Sequence, residues 1–380
     1  MASPKKSRNV LLYAAPNSNA DMLWFSRFHA GDPFLAFSSK GKKIGIVSLL
    51  EVTRAQKESD FDEVLNLQNI LTTLRERQPD AGVAEVVAWA ARKYKISSFS
   101  VPADFPASLY KQVNALGIHL DIGTVPFFPE RVIKTKQEQE WIRAGNKASA
   151  AGFKAVEKIL AESTIRKGFV WHEGKVLTSE KLHLAIERAC LDNGALNVTG
   201  LIAAAGDQAV DCHCHGNGPI RANELIVVDI YPRVSATGYF GDMTRTYLKG
   251  KASPAQRKLV ETVRAAQKVA FAAIKAGVLG ADVHKKVASF FIEKGYNPGV
   301  DRGYQVGFFH GLGHGLGLDV HEDPSLGLRG TKPLKPGMVV TVEPGLYYLG
   351  IGGCRIEDVV LVTKNGCEPL SKHPYRWEFA

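Results

Sequence analysis

Three short apolar runs, NVLLYAA at 9–15, PFLAFSS at 33–39 and KKIGIVS at 42–48, open the chain and are separated by polar breaks. VAEVVAWAARKY at 83–94 instead repeats its apolar positions at helical spacing. Strands alternating with amphipathic helices predict a small α/β domain over residues 1–130. At PFFPERVIKTKQEQEW two prolines give way to a charged helix start, which puts a linker around Pro126 to Lys134 and a second domain over 131–380.

The second domain reads as one pattern written twice. A helix from about Gln137 to Leu160, another opened by Thr178-Ser179-Glu180 and closed at Gly194, and a strand pair between Glu224 and Gly250 make the first set. Ser253-Pro254 then caps a helix ending at Gly277, a further helix runs to Gly295, and a strand pair spans Gly337 to Thr363. The order of elements repeats without visible sequence identity, predicting two helix-helix-hairpin halves about a pseudo-twofold axis.

Composition narrows the class of protein. With 380 residues, 45% of them apolar, the chain suits two packed domains. Five cysteines without framework spacing point away from a disulfide scaffold and toward a reducing compartment, the cytoplasm. The apolar run behind the basic head Lys5-Lys6 is too short for a signal peptide, and no run is long enough to span a membrane. The net charge of +10 comes from lysines and arginines spread along the chain, without a basic block or nucleic-acid motif, so no nucleic-acid partner is expected.

Acids interrupt both apolar strand pairs. Asp229 and Asp242 flank a turn in ELIVVDIYPRVSATGYFGDMTRTYL, and Glu343 and Glu357 flank a glycine-rich turn in GMVVTVEPGLYYLGIGGCRIEDVVLV. In regular hairpins each pair faces across the strands with Cβ atoms roughly 4.5–5.5 Å apart. A single strand acid usually faces solvent, but two matched pairs need a positive partner, because like charges opposed and buried are costly. Oxygen-rich clusters with one imidazole suit divalent Mn, Co, Fe or Zn. FHGLGHGLGLDVHEDP, Phe309 to Pro324, offers His310, His314 and His321. Glycines on both sides of His314 leave room for an ion to approach and permit unusual backbone angles, while the glycines around His310 argue against a helical i, i+4 zinc pair.

The order DIYP…GDMTRT, HGLGHGLGLDVHEDP, TVEPGLYY and GCRIED resembles the pita-bread metallopeptidases, which include methionine aminopeptidase, aminopeptidase P and prolidase. NADMLWFSRFHAGDPFLAF and IVSLLEVTRAQKES similarly resemble the creatinase-type, ribonuclease-H-like domain that precedes the catalytic domain in the last two. The resemblance implies an α+β pita-bread catalytic domain, two divalent metal ions and a homodimer. Asp229 would chelate one ion, His314 and Glu343 the other, and Asp242 and Glu357 would bridge them, with a metal-bridging hydroxide as nucleophile. Glu343 would also move the proton, and His310 would stand in the pocket wall or behind the ligands.

Because the extra N-terminal domain accompanies enzymes that cut before proline, the implied substrate is a peptide with proline at the second position. His321 and one histidine of DCHCHGNGP, His213 or alternatively His215, would face it. Alternating neighbours in an extended segment, without C-x-x-C spacing, argue against a separate zinc site at Cys212-His213-Cys214-His215. Arg329 would anchor a product carboxylate or be an ordinary loop arginine. Arg355 would bind substrate, orient Glu357 or form a supporting salt bridge, and Tyr239 and Tyr347 would line the pocket or the core. Two local features depart from the family pattern: the loop between the aspartates is longer, and DIYP replaces the more frequent Asp-x-Gly. Methionyl or broader-specificity aminopeptidases, a metal-free creatinase-like amidinohydrolase and a non-catalytic peptide-binding module are the alternatives. The five intact ligand positions weigh against the last two.

Overall fold

This computed structural model describes residues 8–380; the basic head lies outside them. Contacts divide the chain into a unit ending at Arg131 and a second unit, Val132–Ala380. In the first, strands Leu11–Ala14, Phe34–Ser39, Lys42–Val47 and Glu63–Asn66 form one sheet in that order, with only the last pairing parallel. A parallel bridge from Val10 to Ser100 links its edge to the parallel pair Ser98–Val101 and His119–Ile122. The helix Val83–Tyr94 buries Val86, Val87, Ala90 and Ala91, which share a core with Leu35, Phe37, Ile44 and Phe99. The three apolar runs and the amphipathic stretch therefore fold as their periodicities predict.

In the second unit the repeat gains an element that hydrophobic pattern did not reveal. The first half comprises helices Lys136–Glu162 and Ser179–Leu191 and the antiparallel sheet Ile202–Ala205, Leu225–Ile230, Met243–Lys249. The second comprises helices Pro254–Ala273 and Gly280–Glu293 and strands Gly313–Gly315, Val339–Val342 and Asp358–Val362. Each half is thus helix-helix-strand-hairpin. The added strands, IAAA and GHG, are too short or too glycine-rich to alternate legibly. Separate apolar cores fill the halves, one around Phe153, Ile186, Val228 and Tyr247, the other around Leu259, Val287, Val340 and Val360.

Local chemistry sets the helix ends. Thr135 and Glu138 form a reciprocal capping box, as do Ser253 and Gln256 with Pro254 in the first turn. The helix expected to reach Gly277 stops at Ala273, because Ile274 turns extended and inserts its side chain into the core. Gly277, with φ of 86°, takes the left-handed turn beyond it.

Hydrogen bonds join the two hairpins where the site will form. Glu357 N–H donates to the Thr244 carbonyl at 3.0 Å, and Thr246 Oγ1 donates to the Arg355 carbonyl at 2.9 Å. Arg245, buried on the first hairpin, reaches the second by donating to the Glu357 carbonyl at 2.7 Å and to Asp358 Oδ1 at 2.9 Å. Ser371 and Gln267 also donate to Asp358. Removing Arg245 strands that carboxylate in the interior. Arg245→Met is therefore expected to cost about 3–5 kcal/mol in denaturant unfolding, with most of the loss recovered by adding Asp358→Asn.

Candidate metal centre

The first hairpin differs from the expected facing pair of aspartates. Its register pairs Asp229 with Thr244 and Ile230 with Met243, so Asp242, just before the return strand, is diagonal to Asp229 rather than opposite it. The longer loop carries a short strand, Arg233–Val234, that bridges to Phe240, which shifts the axis of the hairpin away from the midpoint of the acids. In the second hairpin Val342 pairs with Asp358 and Gly345 with Arg355. Glu343 and Glu357 occupy the matching positions between these two ladders and face one another as expected.

Ligand atoms of Asp242, His314 and Glu357 lie within 4.8 Å of one another. His314 Nε2 is 3.3 Å from Glu343 Oε1 and 3.7 Å from Asp242 Oδ2. Asp229 closes the group from the first hairpin, with Oδ2 accepting from Arg355 Nη2 at 2.8 Å. Its other oxygen, Oδ1, is buried without a hydrogen-bond partner. An orphan carboxylate oxygen beside three more acids and an imidazole fits a divalent cation.

The charges answer one another. Burial, then the Asp229 carboxylate, holds the Asp242 carboxyl well above the usual range. Burial and the neighbouring Asp242 do the same to Glu357. Burial would lower His314, but its hydrogen bond and ion pair with Glu343, aided by Asp242, push it up to about 9. Burial would likewise raise Glu343, yet His314 holds it down to about 2. Burial and mutual repulsion thus favour the protonated forms of Asp242 and Glu357, with which ligation of a cation competes.

Two threonines that the sequence reading passed over orient the acids. Thr244 Oγ1 donates to Glu357 Oε2 at 2.7 Å, and Thr341 Oγ1 donates to Glu343 Oε1 at 3.2 Å while accepting from His314 N–H at 3.0 Å. Each stands two residues from an acid on its own strand, in Asp242-Met-Thr244 and Thr341-Val-Glu343, so strand alternation was the available signal. The glycines beside His314 also serve another purpose than expected. Neither takes a positive φ; a Cβ on Gly313 would meet the Thr341 carbonyl at 2.1 Å, and one on Gly315 the Asp323 carbonyl at 2.2 Å. They let neighbouring strands close on the histidine.

The remaining candidates separate by position. The His321 and His314 rings lie 4.3 Å apart, and burial together with His314 lowers the His321 pKa. Burial also lowers His310, to about 4. His310 donates through Nδ1 to the Gly311 carbonyl at 2.7 Å, its Nε2 accepts from the Tyr347 hydroxyl at 2.9 Å, and Tyr347 in turn accepts from Arg355 Nη1 at 2.8 Å. His213 is exposed, yet close enough for its charge to bear on His310 and His321. His215 is tied through Nδ1 to the Leu201 carbonyl at 2.7 Å. The segment holding them is a turn rather than extended, with Cys214 N–H donating to the Asp211 carbonyl at 3.0 Å, and its side chains form no metal cluster among the described residues.

Two of the open alternatives narrow. Arg355, expected at the substrate, on Glu357 or in a supporting salt bridge, is buried with its guanidinium held by Asp229 and Tyr347, which is the salt-bridge alternative. Tyr239 is buried against Trp141 and donates to Glu138 at 2.6 Å, away from the acids, and Tyr347 is sealed behind them. Arg329 is exposed in its loop, with no ion pair among the described residues.

Comparison with known proteins gives a consistent likeness. The sequence pattern of Metallopeptidase family M24 matches residues 140–364. The Xaa-Pro dipeptidase of Pyrococcus furiosus is 34% identical over 244 residues, covering 64% of each chain. The alignment thus spans just under two thirds of that curated relative. The solved structure of an X-Pro aminopeptidase from Thermotoga maritima superposes with a TM-score of 0.80 at 25% identity, over 98% of this chain and 97% of the other. An Xaa-Pro dipeptidase from Bacillus anthracis gives 0.80 and 25%, over 98% and 95%.

Arg355→Met leaves Asp229 buried without its counter-charge, and is expected to cost about 3–5 kcal/mol in denaturant unfolding of chelator-treated protein. Added Mn2+ should recover part of that loss by engaging the free carboxylate. A variant as stable as the parent in chelator would contradict the pairing.

Proposed function

The chain belongs to metallopeptidase family M24, and from that premise we propose that it is a metal-dependent exopeptidase hydrolysing the bond before proline, as an Xaa-Pro dipeptidase or aminopeptidase. The convergence of Asp242, His314 and Glu357, with Glu343 on the imidazole and an orphan oxygen on Asp229, carries the reading. Likeness over nearly the whole chain to an X-Pro aminopeptidase and an Xaa-Pro dipeptidase supports specificity for proline at the second position. All five cysteines are free thiols, in keeping with a reducing compartment such as the cytoplasm.

The five residues Asp229, Asp242, His314, Glu343 and Glu357 would hold two divalent ions, Mn, Co, Zn or Fe. Such ions polarise a carbonyl and make water a nucleophile near neutral pH. The chain contributes the rest. Thr341 and Thr244 fix the oxygens of Glu343 and Glu357, and Arg355 fixes Asp229, so the ligands are oriented in advance. Glu343, at the less buried edge of the group, carries the proton from the attacking water toward the leaving nitrogen. His321, beside His314, and His213 donate hydrogen bonds to the oxygen on which charge develops.

Chelated protein resupplied with Mn2+, Co2+ or Zn2+ should cleave Xaa-Pro dipeptides or Xaa-Pro-Yaa peptides, and Asp242→Ala should not. Release of methionine from Met-Ala-Yaa peptides with no cleavage before proline would instead assign a methionyl aminopeptidase.

The two histidines separate by metal analysis. His314→Ala should lose metal and activity together. His321→Ala should keep its metal and fall roughly 10²-fold in kcat. Elemental analysis beside steady-state kinetics decides, and a His321→Ala protein stripped of metal would reverse the two roles.

A further inference from the structure

The shifted register of the first hairpin places an aromatic residue among the acids. Gly241 N–H donates to the Pro232 carbonyl at 2.9 Å, which continues the Asp229–Thr244 register past the end of the strand. Tyr231 consequently stands opposite Asp242, on the face that also carries Asp229 and Thr244. Every residue of Leu225–Ile230 and of Asp242–Lys249 is buried, whereas Tyr231 is half-buried. It is more exposed than any of them.

Its direction follows from the adjacent strand. A Cβ built on Gly200 would lie 3.7 Å from the Tyr231 hydroxyl and 2.8 Å from Cε1 of His215. The phenol hydroxyl therefore lies toward the Gly200 loop, where the Leu201 carbonyl holds His215. Among the described residues its hydroxyl makes no hydrogen bond.

A peptide whose first residue is removed presents a cationic amino end and a carbonyl that becomes anionic. His213 bears on both His310 and His321, and Glu343 is close to each of those two, so the exopeptidase reading puts the carbonyl on this side. The acids of the first hairpin suit the amino end, and the side chain next to that end meets the ring of Tyr231. We propose that Tyr231 is the wall that limits the size of the amino-terminal side chain this site accepts. The inference rests on the exopeptidase reading and adds to it a determinant of which Xaa is cut.

Metal-loaded parent, Tyr231→Ala and Tyr231→Phe are compared on Gly-Pro, Ala-Pro, Leu-Pro and Phe-Pro, extended by one residue if only longer peptides are cut. Removing the ring should raise the ratio of kcat/KM for Phe-Pro over Gly-Pro about tenfold or more, while Tyr231→Phe should keep the parent ratio. Calorimetric binding of glycine, alanine, leucine and phenylalanine amides reads the same preference without turnover. An unchanged size profile in Tyr231→Ala overturns the proposal. So does a uniform loss on every peptide accompanied by lost metal or a lowered melting temperature. A parent that cleaves no Xaa-Pro peptide, but binds the amides with a size preference that Tyr231→Ala relaxes, would reject the proline reading and retain the wall.

Discussion

Four carboxylates brought into one largely buried cleft are the constraint on which this structure depends. An unpaired buried ion costs several kcal/mol even after relaxation, and a whole protein is stable by only about 5–15 kcal/mol. The four charges cannot persist together without compensation. The fold supplies it with an arginine on Asp229 and an imidazole on Glu343, while burial shifts Asp242 and Glu357 toward their protonated forms. Ligand atoms of Asp242, His314 and Glu357 remain within 4.8 Å of one another, and Asp229 keeps an oxygen without a hydrogen-bond partner. That is why the group is suited to a cation and poorly explained as a device for stability.

Hairpin geometry divides the work. Had Asp229 and Asp242 been directly opposed, their Cβ atoms would sit at the closest cross-strand spacing. The diagonal offset relieves that repulsion and gives Asp229 a threonine for its neighbour. The same threonine orients Glu357, so relief on one hairpin becomes positioning on the other. Thr341 acts in parallel on Glu343 and on the backbone of His314. Behind both, Arg245 and Asp358 lock the hairpins to each other. Orientation of the acids is thus inseparable from the packing of the two halves.

Periodicity made much of this legible in the sequence. Strands interrupted by acids, paired helices with Thr-Ser-Glu and Ser-Pro starts, and the repeat of element order all follow from local spacing, and the structure has them. Register was less accessible, because the midpoint rule assumes a plain turn and the 231–242 connection contains its own short strand. The partner of Arg355 was hidden for a related reason. Alternation placed it on the face of Glu357, but its long side chain crosses to Asp229 on another strand, and one-dimensional spacing does not carry that distance. The short strand bearing His314 carries two glycines in three residues and left no hydrophobic signal.

Those glycines show how far a motif and its physical reason can differ. Glycine beside a histidine suggests room for a ligand or a special backbone angle, whereas here the angles are ordinary and the space is filled by carbonyls of neighbouring strands. Close approach of those backbones lets Thr341 reach the His314 amide and hold the imidazole against Glu343. The histidine is therefore aimed through its own backbone, which Thr341 Oγ1 and the flanking strands hold. This suits a ligand, because a ring fixed through its own backbone keeps its direction whether or not an ion is bound. A ring positioned by flexible side chains would lose part of that orientation entropy at each binding event. The local weakness of a glycine-rich strand, costly for folding, is consistent with selection for a preset donor.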